Sequence, residues 1–119
     1  MKKKSKASMR SKARAILSQY HALKERRYVG DLDASDTLID FERAVKMARL
    51  THRQAEALSL VYGADLTQKD AGERMGIGQN TVSELVADGS AAIDEVYEAW
   101  AWIDGELTQE DEETEVLAV

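Results

Sequence analysis

The chain has 119 residues, 44% of them apolar, with a net charge of −6 and neither cysteine nor proline. That length supports one domain with a single modest core, and the missing cysteine excludes a disulfide framework or a thiolate metal site. With no apolar run of transmembrane or secretory length, a cytoplasmic, all-α protein that makes no membrane contact is expected.

The first 30 residues carry ten Lys/Arg against one Glu, a balance of +9, while residues 31–119 carry six against twenty-one, a balance of −15. Such asymmetry marks a basic arm for nucleic acid and an acidic tail. Three segments are expected: a basic arm with an amphipathic helix over 1–30, a helical domain over 31–104, and an acidic, disordered tail over 105–119.

In chain order, residues 1–8 are Lys/Ser-rich and read as disordered when free. From Met9 to Arg27 the apolar residues Ala13, Ile16, Leu17, Tyr20 and Leu23 are spaced by three and four. That spacing predicts one amphipathic helix with a basic outer side. Tyr28, Val29, Gly30 and Asp31 break it. Ser35 is the expected cap of a second helix, with Leu38, Phe41, Val45 and Ala48 inward and Ile39 and Met47 widening the stripe. Thr51 caps a third helix to about Tyr62, with Ala55, Leu58 and Val61 or Tyr62 inward, and Gly63 ends it.

Residues 66–85 read LTQKDAGERMGIGQNTVSEL. Thr67 is a good cap for a helix from Gln68 to Met75, and Gly76 supplies the left-handed residue just past its end. A further helix starts at Gln79 or Asn80, with Val82, Leu85 and Val86 on one face and Asn80, Ser83, Glu84 and Ala87 on the other. Two short helices joined by a Gly turn, the second with a polar outer face, form a helix-turn-helix. Apolar spacing then continues through Gly89, Ala92, Ile93, Val96, Trp100 and Ile103 to a stop at Gly105. A close crossing or a bend is expected at Gly89. The stripe over 91–103 needs a partner: the N-terminal helix, or the same helix of a second copy in a homodimer, which is the expected arrangement.

Residues 50–86, with Leu50, Thr51, Arg53 and Gln54 at the entry, Tyr62-Gly63, LTQKD and GIGQNTVS, resemble region four of bacterial sigma factors. The resemblance implies a helix-turn-helix that reads promoter DNA, with RNA polymerase as a candidate second partner. It also implies a stand-alone, sigma-like transcription regulator, a layout found in phages and prophages. Two features depart from the family: Gly78 stands where a hydroxyl residue commonly caps the recognition helix, and that helix lacks the usual arginines.

A helix entering the major groove reads base edges with its outward side chains. Asn80 can pair bidentately with adenine, Ser83 can donate or accept, and Glu84 can accept from cytosine N4. Gln79 and Thr81 flank this face. Thr67, at a helix N-terminus, and Lys69 suit a phosphate. By resemblance, Gln79, Asn80, Ser83 and Glu84 occupy base-reading positions. With Glu84, Asp88, Asp70 and Glu73 nearby, phosphate neutralisation falls to Lys2, Lys3, Lys4, Lys6, Arg10, Lys12 and Arg14.

Catalysis is not expected. His21 and His52 stand apart from any cysteine, His52 and Glu56 alone do not make a metal site, and no cofactor is implied. Gly72, Gly76 and Gly78 lack the strand and the Gly-Lys-Ser/Thr of a phosphate loop. Two alternatives to the regulator stay open: a phage packaging subunit of small-terminase type, and a helix-turn-helix that binds polymerase or another protein in place of DNA.

Overall fold

The computed structural model describes the backbone of residues 11–118 and the side chains of residues 11–105. Six helices, and no strand, occur among the described residues: α1 Lys12–Ser18, α2 Tyr20–Tyr28, α3 Leu32–Ala48, α4 His52–Leu58, α5 Gln68–Met75 and α6 Gln79–Ala118. The organising element is α6. Its 40 residues form a shaft roughly 60 Å long at 1.5 Å per residue. Against it pack α1, α3, α4 and α5, while α2 lies on α3. The core runs from Ala13, Ile16 and Leu17 through Leu38, Phe41 and Leu58 to Met75, Val82, Val86 and Ile93, all buried.

The N-terminal segment is two helices where the periodicity predicts one. Gln19 leaves helical geometry at φ −107°, ψ 12°, and its N–H turns back to the Ile16 carbonyl at 3.0 Å. The two halves have different partners: α1 lies on α6, whereas α2 lies on α3. One straight stripe cannot face both. Ser11 caps α1 by accepting from the Arg14 N–H at 3.1 Å, and the Asp94 carboxylate of α6 accepts from the Ala13 N–H at 2.8 Å. A charged acceptor on a helix's open first turn ties α1 to the shaft.

Asp31, not Ser35, caps α3. Its carboxylate accepts from the N–H groups of Asp33 at 3.0 Å and Ala34 at 3.2 Å, and Arg26 Nε donates to it at 3.0 Å. The Ala34 N–H and the Arg26 guanidinium hold this carboxyl below its usual range. A carboxylate that collects two N–H groups and a cation outcompetes a hydroxyl four residues later. Ala34 and Ala44 complete the buried face of α3, whereas Ile39 and Met47, expected to widen it, are 47% and 55% exposed.

Thr51 makes the expected cap, with Gln54 returning to its N–H in a reciprocal box. The α-helical pattern then ends at Leu58 and gives way to a π-helical turn, Ser59–Gly63, closed by the Ala64 N–H on the Ser59 carbonyl at 2.9 Å. Within α4, Ala57 and Leu58 are buried, and Ala55, expected inward, is exposed.

Gly89 is a close crossing. A Cβ there would lie 3.0 Å from Leu58 Cδ1 and 3.5 Å from Gln54 Cβ, so α4 crosses α6 where no side chain intervenes. The shaft continues past Gly105, where the sequence places its end. A single Gly lowers helix propensity by only about 1 kcal/mol, and no proline follows to stop the chain. The stripe beyond Ala91 is partly covered within the chain: Val96, Tyr97 and Trp100 pack against the core, while Trp102 and Ile103 remain 65% and 48% exposed.

Candidate nucleic-acid interface

The turn between α5 and α6 is built from three glycines with different tasks. Gly76 ends α5 in the left-handed region at φ 75°, and the Ile77 N–H reaches the Gly72 carbonyl at 2.9 Å. Gly72 is small because the turn lies on it: a Cβ would fall 2.7 Å from the Ile77 carbonyl oxygen and 3.3 Å from the Gly78 carbonyl carbon. Gly78 precedes α6 and accepts from the Val82 N–H at 3.1 Å. The turn is braced from α4, where Arg53 Nη1 donates to the Met75 carbonyl at 3.2 Å. This brace joins the start of α4 to the end of α5, and the spacing of Arg53 to Met75 in sequence gives no hint of it.

Val82 and Val86 are fully buried and Leu85 partly so, which fixes the rotation of α6. The opposite face carries Gln79, Asn80, Thr81, Ser83 and Glu84, every one exposed. None of these five side chains hydrogen-bonds or pairs with another described residue. Their donors and acceptors are therefore available to a ligand. Because Gly78 has no side chain to cap the helix, the first N–H groups of α6 are left open, and no acidic residue stands in its first turn. That end of the helix carries the positive pole of its dipole. The missing hydroxyl cap thus leaves donors facing outward.

Thr67 caps α5 by accepting from the Asp70 N–H at 3.1 Å, and Lys69 is exposed in the first turn. Lys12 and Arg14 are exposed on α1, with the Lys12 ammonium 4.7 Å from the centre of the Tyr97 ring. Asp94, which anchors α1, is 14 residues beyond Asn80, roughly 21 Å along the shaft. The structure therefore does not bring Lys12 and Arg14 beside the recognition turn. Lys2, Lys3, Lys4, Lys6 and Arg10 lie outside the described residues. Beside Asp94, the Tyr97 hydroxyl is buried without a hydrogen-bond partner among the described residues, and its pKa is pushed up to about 12 by burial, with the Asp40 and Asp94 carboxylates adding to the effect.

Among the described residues no helix is long and apolar enough to cross a membrane. Residues 47–93 match the family model for sigma-70, region 4. No curated protein and no solved structure matches the chain. The matched residues run from the last turn of α3 to Ile93 on the shaft, and so contain the capping box, the π turn, both helices of the motif and the Gly89 crossing. Residues 47–93 are a sigma region 4-like helix-turn-helix, which supports a DNA-binding regulatory role.

Proposed function

We propose that the protein is a sequence-specific, DNA-binding transcription regulator of sigma-like type that reads the major groove with the first two turns of α6. The observation that carries this reading is the outward row of Gln79, Asn80, Thr81, Ser83 and Glu84, exposed and without partners among the described residues, above a buried Val82 and Val86. Asn80 is assigned to adenine, Glu84 to cytosine, and Ser83 to either base edge. Thr67 and Lys69 take a phosphate at the start of α5.

Lys69 and Arg74 are the only basic residues between 66 and 88. The bulk of the phosphate neutralisation therefore belongs to Lys2, Lys3, Lys4, Lys6 and Arg10, with Lys12 and Arg14 extending the positive surface along α1. Ten residues of extended chain reach at most about 33–36 Å, enough to cover the roughly 21 Å between the α1 anchor and the recognition turn.

The test begins with duplexes selected from fragmented genomic DNA by the purified full-length chain. Asn80→Ala should weaken the selected site by about 1–3 kcal/mol and leave random duplex almost unaffected. Replacing Lys2, Lys3, Lys4 and Lys6 by Gln should weaken both duplexes and flatten the slope of log K against log salt by about 3.6 if all four contact phosphate. Equal affinity of wild type and Asn80→Ala for every selected duplex would remove the base-reading assignment.

The acidic surroundings of the recognition helix, with Glu84 and Asp88 exposed, favour a second reading in which the motif engages RNA polymerase. Binding to polymerase without measurable binding to duplex would select it. The exposed Trp102 and Ile103 support a homodimer joined through residues 91–103. Sedimentation equilibrium of wild type and Trp102→Glu tests that pairing.

A further inference from the structure

A groove of about 480 Å³ opens on the side of the molecule formed by α1, α2, α3 and α4, away from the polar row of α6. Its floor is Phe41, Leu58 and Ile93, and its walls include Val45, Leu50 and Tyr62. That volume lies within the ~300–1,000 Å³ range of small-molecule sites, which are also mostly apolar with a few polar groups at the edge. The π-helical turn forms one wall through Ser59, Tyr62 and Gly63, and such turns recur where proteins bind ligands.

The sequence assigns Val45 and Ala55 to the core, yet both line this opening. The helices thus present more apolar surface here than the chain itself covers. The rim is charged asymmetrically. Glu42 is matched by Arg27 at 3.8 Å, whereas Lys46 has no ion pair among the described residues. Lys24 adds positive charge beside the Tyr20 wall, its ammonium 5.2 Å from the centre of that ring. An apolar trough with Lys46 and Lys24 at its lip, neither in an ion pair among the described residues, complements an apolar body bearing a negative head.

We infer that this groove is an effector site for a small amphipathic carboxylate, the apolar body lying over Phe41, Leu58 and Ile93 and the carboxylate meeting Lys46. The site joins three separate elements: the N-terminal helical pair, the C-terminal half of α3, and the π turn that leads into α5. A bound molecule therefore ties the N-terminal helices to the helix-turn-helix. The inference stands on the groove and its rim, and is independent of which bases α6 reads.

The probes are hexanoate, octanoate and decanoate below their micelle-forming concentrations, with octanol and octyltrimethylammonium as neutral and cationic counterparts, titrated into the full chain. Amide and methyl NMR signals of Val45, Leu50, Ala55 and Leu58 report occupancy. Affinity should tighten about fourfold per methylene until the groove is full. Octanoate should bind about two- to fivefold more tightly than octanol, the range of an exposed ion pair, and Lys46→Gln should erase that margin. Ala55→Phe, a substitution at an exposed position, should block all three acids, whereas Met47→Gln, outside the groove, should leave them unchanged. Octyltrimethylammonium binding as tightly as octanoate would overturn the proposal. So would shifts confined to Trp102 and Ile103, or an unresponsive groove whose signals change only with protein concentration, which would assign it to a second copy.

Discussion

Gly72→Ala puts the turn geometry to a direct test. In an open helix this exchange stabilises by about 1 kcal/mol, because Ala loses less conformational freedom than Gly. At this position the added Cβ falls 2.7 Å from the Ile77 carbonyl oxygen, and the next neighbour is also backbone. Reaching ordinary contact at 3.4 Å requires the turn to retreat by about 0.7 Å. That retreat stretches the 2.9 Å bond from the Ile77 N–H to the Gly72 carbonyl. Overpacking of this kind costs about 1–3 kcal/mol, and the strained hydrogen bond about 1 kcal/mol more. After the propensity gain, a net loss of about 2 kcal/mol is expected, read as a lower urea midpoint with an unchanged slope. Gly89→Ala is the matched control, since its nearest contact at 3.0 Å is the end of the flexible Leu58 side chain. It should be near neutral. A Gly72→Ala variant as stable as wild type would refute the account of the turn. The same displacement moves Gln79 and Asn80, so affinity for a selected duplex should fall as well.

Asp94→Ala removes the carboxylate that accepts from the Ala13 N–H, and should speed amide exchange throughout α1 while leaving α5 protected. In an alkaline absorbance titration Tyr97 should ionise at about 12, and Tyr97→Phe should remove that step. Because the folded pKa is raised, the associated stability is intact below the ordinary value of ~10 and is lost as pH climbs through about 12; Tyr97→Phe should flatten that decline. Arg49 closes α3 in the left-handed region at φ 54°, where Gly is the usual residue, so Arg49→Gly should stabilise by up to about 1 kcal/mol in urea unfolding.

The helix-turn-helix was legible because its signals are local. Thr67, Gly76 and the spacing of Val82 and Val86 each specify backbone geometry within a few residues, and the structure places the helix start at Gln79. The Thr51 cap was legible for the same reason, although the reciprocal Gln54 contact that completes it as a box was not. The departures arise where a distant partner decides. The break at Gln19 follows from α1 and α2 having different partners, which the spacing of Ala13 to Leu23 cannot encode. Asp31 outcompetes Ser35 because Arg26 stands beside it. Ala55 is outward because α4 turns Gln54 and Leu58 onto α6 at the Gly89 crossing, a contact no local periodicity reveals in advance. At the candidate site, exposure of Gln79, Asn80 and Ser83 followed from the pattern, whereas the Arg53 brace links positions 22 residues apart.

The shaft gives the protein one further property. No hinge separates Asn80 from Trp102, which stand 22 residues apart on a single helix, a distance of roughly 33 Å. Whatever grasps the tryptophan end is held at a set distance, and a set rotation, from whatever the polar row at the other end engages. Adding one residue between them would turn one end by about 100° relative to the other. Length and phase along this rod are therefore inherited together by any assembly built on it.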